Sequence, residues 1–212
     1  MRFDQPLNQV FDHEVKVRVL RFLCRRGGQW NGRRLAAELR INPTTMHKAL
    51  RELRHATVLD FQKVGNNFVY SLADDHYLVQ AIFRPAFQQE AQALAHAAKL
   101  LWQALGPALR SRVVSAALYG SVARRQERPT SDLDVLFLVS SPTAKRHVQR
   151  ALHQRWETAT RRFGNTLAPY VNTVQEAQQK SRRGVGLFRD ILRAHQVLWG
   201  KPLEEVLRGR AA

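Results

Sequence analysis

An Asp-x-Asp pair directly before a short apolar run is the feature that most constrains the fold of this chain. Asp132 and Asp134 precede the apolar segment 135–139, and a second apolar segment, 113–119, ends at Gly120. Short apolar runs bordered by turn residues predict buried strands. Because side chains alternate along a strand, we expect both carboxylates on one face of a sheet.

The residues around these strands predict a site for a nucleoside triphosphate with Mg²⁺. Two neighbouring carboxylates repel each other unless a cation lies between them, and Mg²⁺ prefers oxygen ligands and shared phosphates. Gly120 allows a phosphate to approach the backbone, Ser121 offers a hydroxyl group, and the helix start expected there offers free amides. The alternative for Asp132 and Asp134 is a pair of solvated acids or a helix cap at the strand entry.

Together, the two segments resemble the signature of the DNA polymerase β-type nucleotidyltransferase superfamily. Residues 118–124 read LYGSVAR, and residues 131–136 read SDLDVL. The combination of glycine-serine, a gap of about ten residues and Asp-x-Asp in an apolar strand is most similar to the minimal nucleotidyltransferases of bacteria and archaea. The resemblance extends over residues 108–207.

This resemblance implies that an acceptor hydroxyl attacks the α-phosphate of a nucleoside triphosphate and that pyrophosphate leaves, with two metal ions at the site. It implies that Asp132 and Asp134 are the catalytic, metal-binding carboxylates. The residues that it assigns to the nucleotide are Gly120, Ser121, Arg124 and Arg125. For the two arginines, plain surface charge is the alternative.

Active members of the superfamily carry a third carboxylate on a later strand. The segment expected to form that strand here, 167–174, contains no Asp or Glu, and Asn172 is its nearest match in place. A neutral amide cannot act as a base and binds Mg²⁺ less well. Glu127 and Glu176 lie outside the segment. Three hypotheses follow: a nucleotidyltransferase, an inactive module that binds nucleotide, nucleic acid or a partner, and an antitoxin-like enzyme that modifies a toxin.

The first 76 residues resemble the winged helix-turn-helix of bacterial transcription regulators. Asn42 and Pro43 are typical of a helix start, and Gly65-Asn66-Asn67 is typical of a hairpin turn. The predicted helices and strands are, in order, helices over 8–24, 32–39 and 43–55 and strands over 58–64 and 68–72.

On this interpretation the third helix lies in the major groove of double-stranded DNA, with its polar residues facing bases and its basic residues facing phosphates. The predicted DNA-binding residues are Thr44, Thr45, His47, Lys48, Arg51, Arg54 and Lys63. The alternative is a module for protein interaction or dimerisation. Winged-helix regulators are often homodimers, although no dimer interface is legible in this sequence.

The predicted fold class is α+β: a winged helix-turn-helix (1–76), a connecting helix (77–106) and an α/β nucleotidyltransferase domain with a small mixed sheet (107–212). Residues 143–163 predict one charged helix, and residues 188–198 a last packed helix. The net charge of +17 favours a polyanionic partner. One cysteine excludes a disulfide framework. With no signal-peptide core and no apolar span, we expect a cytoplasmic protein without membrane contact.

Overall fold

The computed structural model describes residues 3–65, 67–184 and 186–208. The chain divides into two compact units, Met1–Ala93 and Leu94–Ala212. The predicted combination of helices and small sheets is confirmed. Over the described ranges, no helix has both the length and the apolar character that crossing a membrane requires.

The first unit begins with three helices whose starts are set by polar side chains. A 3-10 turn (Pro6–Gln9) is followed by α1 (Glu14–Arg26), α2 (Gly32–Leu39) and α3 (Pro43–His55). The Asn31 side chain accepts a hydrogen bond from the backbone of Arg34 at 2.8 Å, and that of Asn42 accepts one from Thr44 at 2.9 Å. Such caps satisfy amides that have no partner within the helix. The predicted start of the third helix is confirmed.

A three-stranded antiparallel sheet completes the core of this unit. Its strands are β1 (Trp30–Asn31), β2 (Leu59–Val64) and β3 (Asn67–Leu72), in the order β1-β3-β2. The β2–β3 hairpin turns at Gly65, and Asn66 of the predicted turn lies outside the described residues. The predicted order of three helices and a hairpin is confirmed. The two-residue strand β1 is an addition, because so short a strand has no periodicity to detect.

The predicted connecting helix is present, but it begins irregularly. A π-helical segment, Val79–Phe83, leads into α4 (Arg84–Ala104). Pro85 lies in the first turn of α4, where its missing N–H and its ring interrupt regular helical hydrogen bonding. The boundary between the two units falls within α4, after Ala93.

The second unit is built on a four-stranded mixed sheet. Its elements are α5 (Pro107–Arg110), β4 (Val113–Leu118), α6 (Gly120–Ala123), β5 (Leu133–Val139), α7 (Pro142–His153), α8 (Trp156–Phe163), β6 (Leu167–Thr173), α9 (Val174–Arg182), α10 (Gly186–Arg193), β7 (Gln196–Gly200) and α11 (Leu203–Arg208). The strand order is β6-β5-β4-β7. Strands β5 and β6 are parallel, and the other pairs are antiparallel, so the predicted mixed sheet is confirmed.

Apolar side chains cover both faces of this sheet. On one face, Leu118 and Phe137 pack in a cluster with Val148 of α7. On the other face, Leu136 packs in a cluster with Phe188 of α10, together with residues of α9 and α11. A sheet that is covered on both faces has strands that are apolar throughout, rather than alternating. This arrangement explains the continuous apolar runs that predicted β4 and β5.

Two predictions in this unit are wrong. The single helix predicted over 143–163 is two helices, α7 and α8, which are separated at Gln154 and Arg155. The last packed helix predicted over 188–198 ends at Arg193, and residues 196–200 instead form β7, paired with β4. An apolar run as short as Val197–Trp199 is compatible with either element, and pairing with β4 decides between them.

Candidate functional site

The end of β4 and the start of β5 bring Gly120 and Asp134 into contact. The strands are antiparallel, with Leu118 opposite Val135, and the backbone N–H of Tyr119 donates to the carbonyl oxygen of Asp134 at 3.0 Å. Gly120 has φ of +75°, and a Cβ atom placed on it would overlap Oδ2 of Asp134. Only glycine therefore leaves room for the Asp134 carboxylate at this position.

Helix α6 starts at Gly120, directly after β4. No side chain caps this helix start, so its first amides are left for solvent or a ligand. Ser121 is partly buried, whereas Arg124 and Arg125 are exposed. The structure thus gathers Gly120 and Ser121 in one turn beside Asp134, with the two arginines at the end of the same turn.

Electrostatics link Asp134 to its neighbours. Burial raises the pKa of the Asp134 carboxyl, the nearby charge of Asp132 raises it further, and Arg124 opposes this rise. Asp132 is exposed and lies just before β5. Two carboxylates close enough to perturb each other form an oxygen-rich site that suits a hard cation such as Mg²⁺. Among the described residues, no group of three or more His, Cys, Asp or Glu side chains is placed to hold a metal ion.

The register of β5 and β6 shows which residue lies where a third carboxylate would complete the site. These strands are parallel, and Ala168 is directly opposite Asp134. Asn172, which we expected in this role, is opposite Leu138, four residues farther along the strand. That expectation is wrong, because the counterpart of Asp134 on β6 is an alanine. Glu127 is exposed in the loop after α6.

Glu176 is engaged elsewhere and does not replace the missing carboxylate. Its side chain accepts hydrogen bonds from Nζ of Lys145 at 2.8 Å and from the backbone N–H of Thr173 at 2.9 Å. The Thr173 hydroxyl in turn accepts from the backbone of Glu176, which completes a capping box at the start of α9. The hydrogen bond from Lys145 is the main cause that lowers the pKa of Glu176.

A polar cluster that no sequence pattern indicated lies on the same face of the sheet as Asp134. Nζ of Lys180 donates to the Tyr170 hydroxyl at 2.9 Å and to Oδ1 of Asn172 at 2.6 Å. Burial, followed by the proximity of Asp134 and Tyr170, raises the pKa of Tyr119 to about 12. Strand alternation could have placed the two tyrosines on this face, but no local pattern indicates that α9 folds back to bring Lys180 beside Tyr170.

In the first unit, every predicted DNA-binding side chain is exposed. These are Thr44, Thr45, His47, Lys48, Arg51 and Arg54 on α3 and Lys63 on β2. The guanidinium of Arg54 lies 3.5 Å from the centroid of the Phe61 ring, which brings α3 and β2 together. The buried face of the same helix consists of Met46, Ala49, Leu50 and Leu53, so the predicted division into inner and outer faces is confirmed.

Comparison with known proteins bears on the second unit. No protein with a curated description matches the chain. Residues 101–181 match the family model described as a nucleotidyltransferase domain. The matched range includes Gly120, Ser121, Asp132 and Asp134. Over these residues the chain is similar to nucleotidyltransferase domains, which supports that part of the resemblance.

Proposed function

We propose that this protein binds DNA through its first unit and binds a nucleoside triphosphate with Mg²⁺ in its second unit, where it transfers a nucleotidyl group to a hydroxyl acceptor. The observation that carries the second part is the contact between Gly120 and Asp134. A glycine with positive φ is retained at the position where a carboxylate lies against the backbone at a helix start. Within residues that match a nucleotidyltransferase domain, this arrangement is suited to phosphates and a cation.

In this proposal each residue of the turn has a separate role. Asp132 and Asp134 hold Mg²⁺, which when bound neutralises phosphate charge and favours attack at phosphorus. The backbone of Gly120 and the hydroxyl of Ser121 bind the β- and γ-phosphates and orient the nucleotide. Arg124, whose charge already acts on Asp134, and Arg125 offset the negative charge of the departing pyrophosphate.

Label transfer tests this function. The full chain is incubated with Mg²⁺, with nucleoside triphosphates labelled at the α-phosphate, and with protein, nucleic-acid and small-molecule acceptors. We expect labelled acceptor and released pyrophosphate with the wild type and neither with Asp134→Asn. Asp190→Asn, which removes an exposed carboxylate of the same unit, is the control. Absence of both products with every class of acceptor would exclude turnover.

A binding module without turnover is the second candidate, and Ala168 is the observation that favours it. Calorimetry with a non-hydrolysable nucleotide, with and without Mg²⁺, should then show Mg²⁺-dependent binding that Asp132→Ala with Asp134→Ala abolishes. Ala168→Asp should place a third carboxylate beside Asp134 and tighten Mn²⁺ binding by about tenfold. Ala168→Asn supplies the same shape without the charge and should not do so. Equal Mn²⁺ affinity in the two variants would contradict this geometry.

For the first unit we propose a winged helix-turn-helix that binds double-stranded DNA, as a transcription regulator does. The exposed polar and basic face of α3 supports this role, together with Lys63 on the adjoining hairpin. Lys48→Ala with Arg51→Ala should weaken duplex binding and lower the slope of log affinity against log salt by about 2. Arg26→Ala with Arg84→Ala removes the same charge away from α3 and serves as the control. Unchanged affinity in the α3 variant would assign α3 another partner.

A further inference from the structure

Lys180 is a partly buried cation whose two hydrogen-bond partners are neutral. Its ammonium group has three N–H donors. Two of them are used, one by the Tyr170 hydroxyl and one by Oδ1 of Asn172. Within the described ranges, no carboxylate lies within ion-pair distance of Lys180, and the nearby Glu176 is paired with Lys145. One N–H donor of Lys180 is therefore left for a partner, while the charge of Lys180 also helps Lys145 to lower the pKa of Glu176.

Asn172, which accepts a hydrogen bond from Lys180, is buried at a cost in folding free energy. Asn172 is fully buried, and its Nδ2 finds no hydrogen-bond partner in the part of the chain that is described. A buried polar group without a partner costs roughly 1–3 kcal/mol. The Tyr170 hydroxyl accepts from Lys180 and keeps its own proton available to donate. The Lys180 ammonium and the Tyr170 hydroxyl thus form two adjacent donors, and the buried Asn172 amide positions the lysine.

The strand register places this pair beside the candidate nucleotide site. Asp134 of β5 is opposite Ala168 of β6 and is hydrogen-bonded through its backbone to Tyr119, the residue after β4. Tyr170 is two residues beyond Ala168 on the same face of β6. Residues two apart on a strand are separated by about 7 Å. Ala168, the β6 residue directly opposite Asp134, has only a methyl side chain and so adds little bulk beside the carboxylate. Asp134 and Tyr170 both help to raise the pKa of Tyr119, in agreement with this proximity.

We infer that Lys180 and Tyr170 bind the phosphate chain of the nucleotide held at Gly120 and Asp134. The inference rests on the proposed function, and it adds a binding element from β6 and α9 to a site otherwise formed by β4, α6 and β5. A lysine ammonium and a hydroxyl are suitable donors for phosphate oxygens. With a nucleotide bound, Lys180 would supply positive charge on the β6 side of Asp134, where Ala168 replaces a third carboxylate.

Nucleotide binding by the full chain tests the inference. A non-hydrolysable nucleoside triphosphate is titrated by calorimetry in the presence of Mg²⁺, and inorganic tripolyphosphate is used as a competitor without a base. Lys180→Met keeps the aliphatic side chain and removes the charge. We expect it to weaken binding of both probes by about 10- to 100-fold, whereas Lys180→Arg should restore most of the affinity. Lys145→Met, which removes a lysine paired with Glu176, should leave both affinities unchanged.

The outcomes separate this inference from the function on which it rests. If the wild type binds the nucleotide and Lys180→Met binds both probes equally well, the inference is overturned and the proposed function stands. If the wild type binds neither probe, both are overturned. Tyr170→Phe provides a second measurement should Lys180→Met not fold, as judged by circular dichroism. It should weaken tripolyphosphate binding by about fivefold, and unchanged binding in this variant would also overturn the inference.

Discussion

Two lysines, one in each unit, are withdrawn from solvent in different ways. The side chain of Lys16 in α1 is 4% exposed, and its Nζ contacts Asp12 at 2.7 Å, Glu52 at 2.9 Å and the backbone oxygen of Gln9 at 2.8 Å. Lys180 in α9 has only neutral partners. The first lysine uses all of its donors within the fold, whereas the second retains one.

The surroundings of Lys16 and Lys180 indicate different roles for the two side chains. Burial alone would lower the pKa of Lys16, but hydrogen bonds and charges from Asp12 and Glu52 outweigh burial, so the pKa is raised. A buried charge with complete partners resists removal, because its loss leaves those partners unpaired. Lys180, by contrast, forms hydrogen bonds only to neutral groups and keeps one N–H donor unused. We therefore interpret the Lys16 cluster as structural and the Lys180 cluster as a ligand site.

The strongest test of this comparison is to remove each charge. Lys16→Met should destabilise the first unit by about 3 kcal/mol, because Glu52 and Asp12 lose their common partner. Lys180→Met should change the second unit by about 1 kcal/mol or less, since relief of the uncompensated charge offsets the hydrogen bond lost by Asn172. Hydrogen exchange in urea, followed on peptides of each unit, measures both. Equal destabilisation of the two units would make Lys180 structural as well.

A smaller effect is expected from two glycines of the second unit. Gly200 has φ of +79°, and an added Cβ would overlap the backbone oxygen of Val114, which cannot move freely. The corresponding clash at Gly120 is with the Asp134 side chain, which can rotate away. Gly200→Ala should therefore cost about 2 kcal/mol, and Gly120→Ala about 1 kcal/mol.

The second readout of the glycine pair is binding. Gly120→Ala should abolish Mg²⁺-dependent nucleotide binding by displacing Asp134, whereas Gly200→Ala should retain it at temperatures where the variant is folded. Thermal unfolding gives the stabilities, and calorimetry gives the affinities. Retained nucleotide affinity in Gly120→Ala would contradict the assignment of Gly120 and Asp134 to the site.

The smallest effect distinguishes two carboxylates by their dependence on pH. The pKa of Glu176 is lowered by Lys145, so its stabilisation is complete above the unfolded pKa and is lost as the pH falls through the folded pKa. The pKa of Asp134 is raised, so its ionised form destabilises the fold above the folded pKa, and this cost disappears below the unfolded pKa. The two groups therefore contribute to stability with opposite sign at neutral pH.

Replacing each carboxylate by its amide tests these signs. At pH 7, Glu176→Gln should lower stability and Asp134→Asn should raise it, each by less than about 1 kcal/mol because solvent screens partly exposed groups. Both differences should decrease as the carboxylates become protonated at acidic pH, and that of Glu176→Gln should persist to the lower pH because the folded pKa of Glu176 is lowered. Urea denaturation at a series of pH values measures them. A loss of stability in Asp134→Asn at neutral pH would mean that the Asp134 carboxylate has a structural partner.

Local sequence patterns predicted many of the helices and strands. The caps at Asn42 and Pro43, the apolar face of α3 and the apolar runs of β4 and β5 all depend on residues within a few positions of each other. The strand β7 was missed because its identity depends on pairing with β4, more than 70 residues earlier in the chain. Asn172 was assigned to the wrong position because sequence order does not determine the register between β5 and β6.

The chemistry of the candidate site can be predicted from neighbouring residues alone. It consists of the residue types present, their spacing, and the glycine-serine and Asp-x-Asp motifs. The folded chain was needed to show that Asp134 lies against Gly120, that Ala168 is opposite Asp134, and that Lys180 contacts Tyr170. These contacts depend on strand register and on the packing of α9 against the sheet. For residues brought together by such long-range packing, the distance in space cannot be predicted from the separation along the chain.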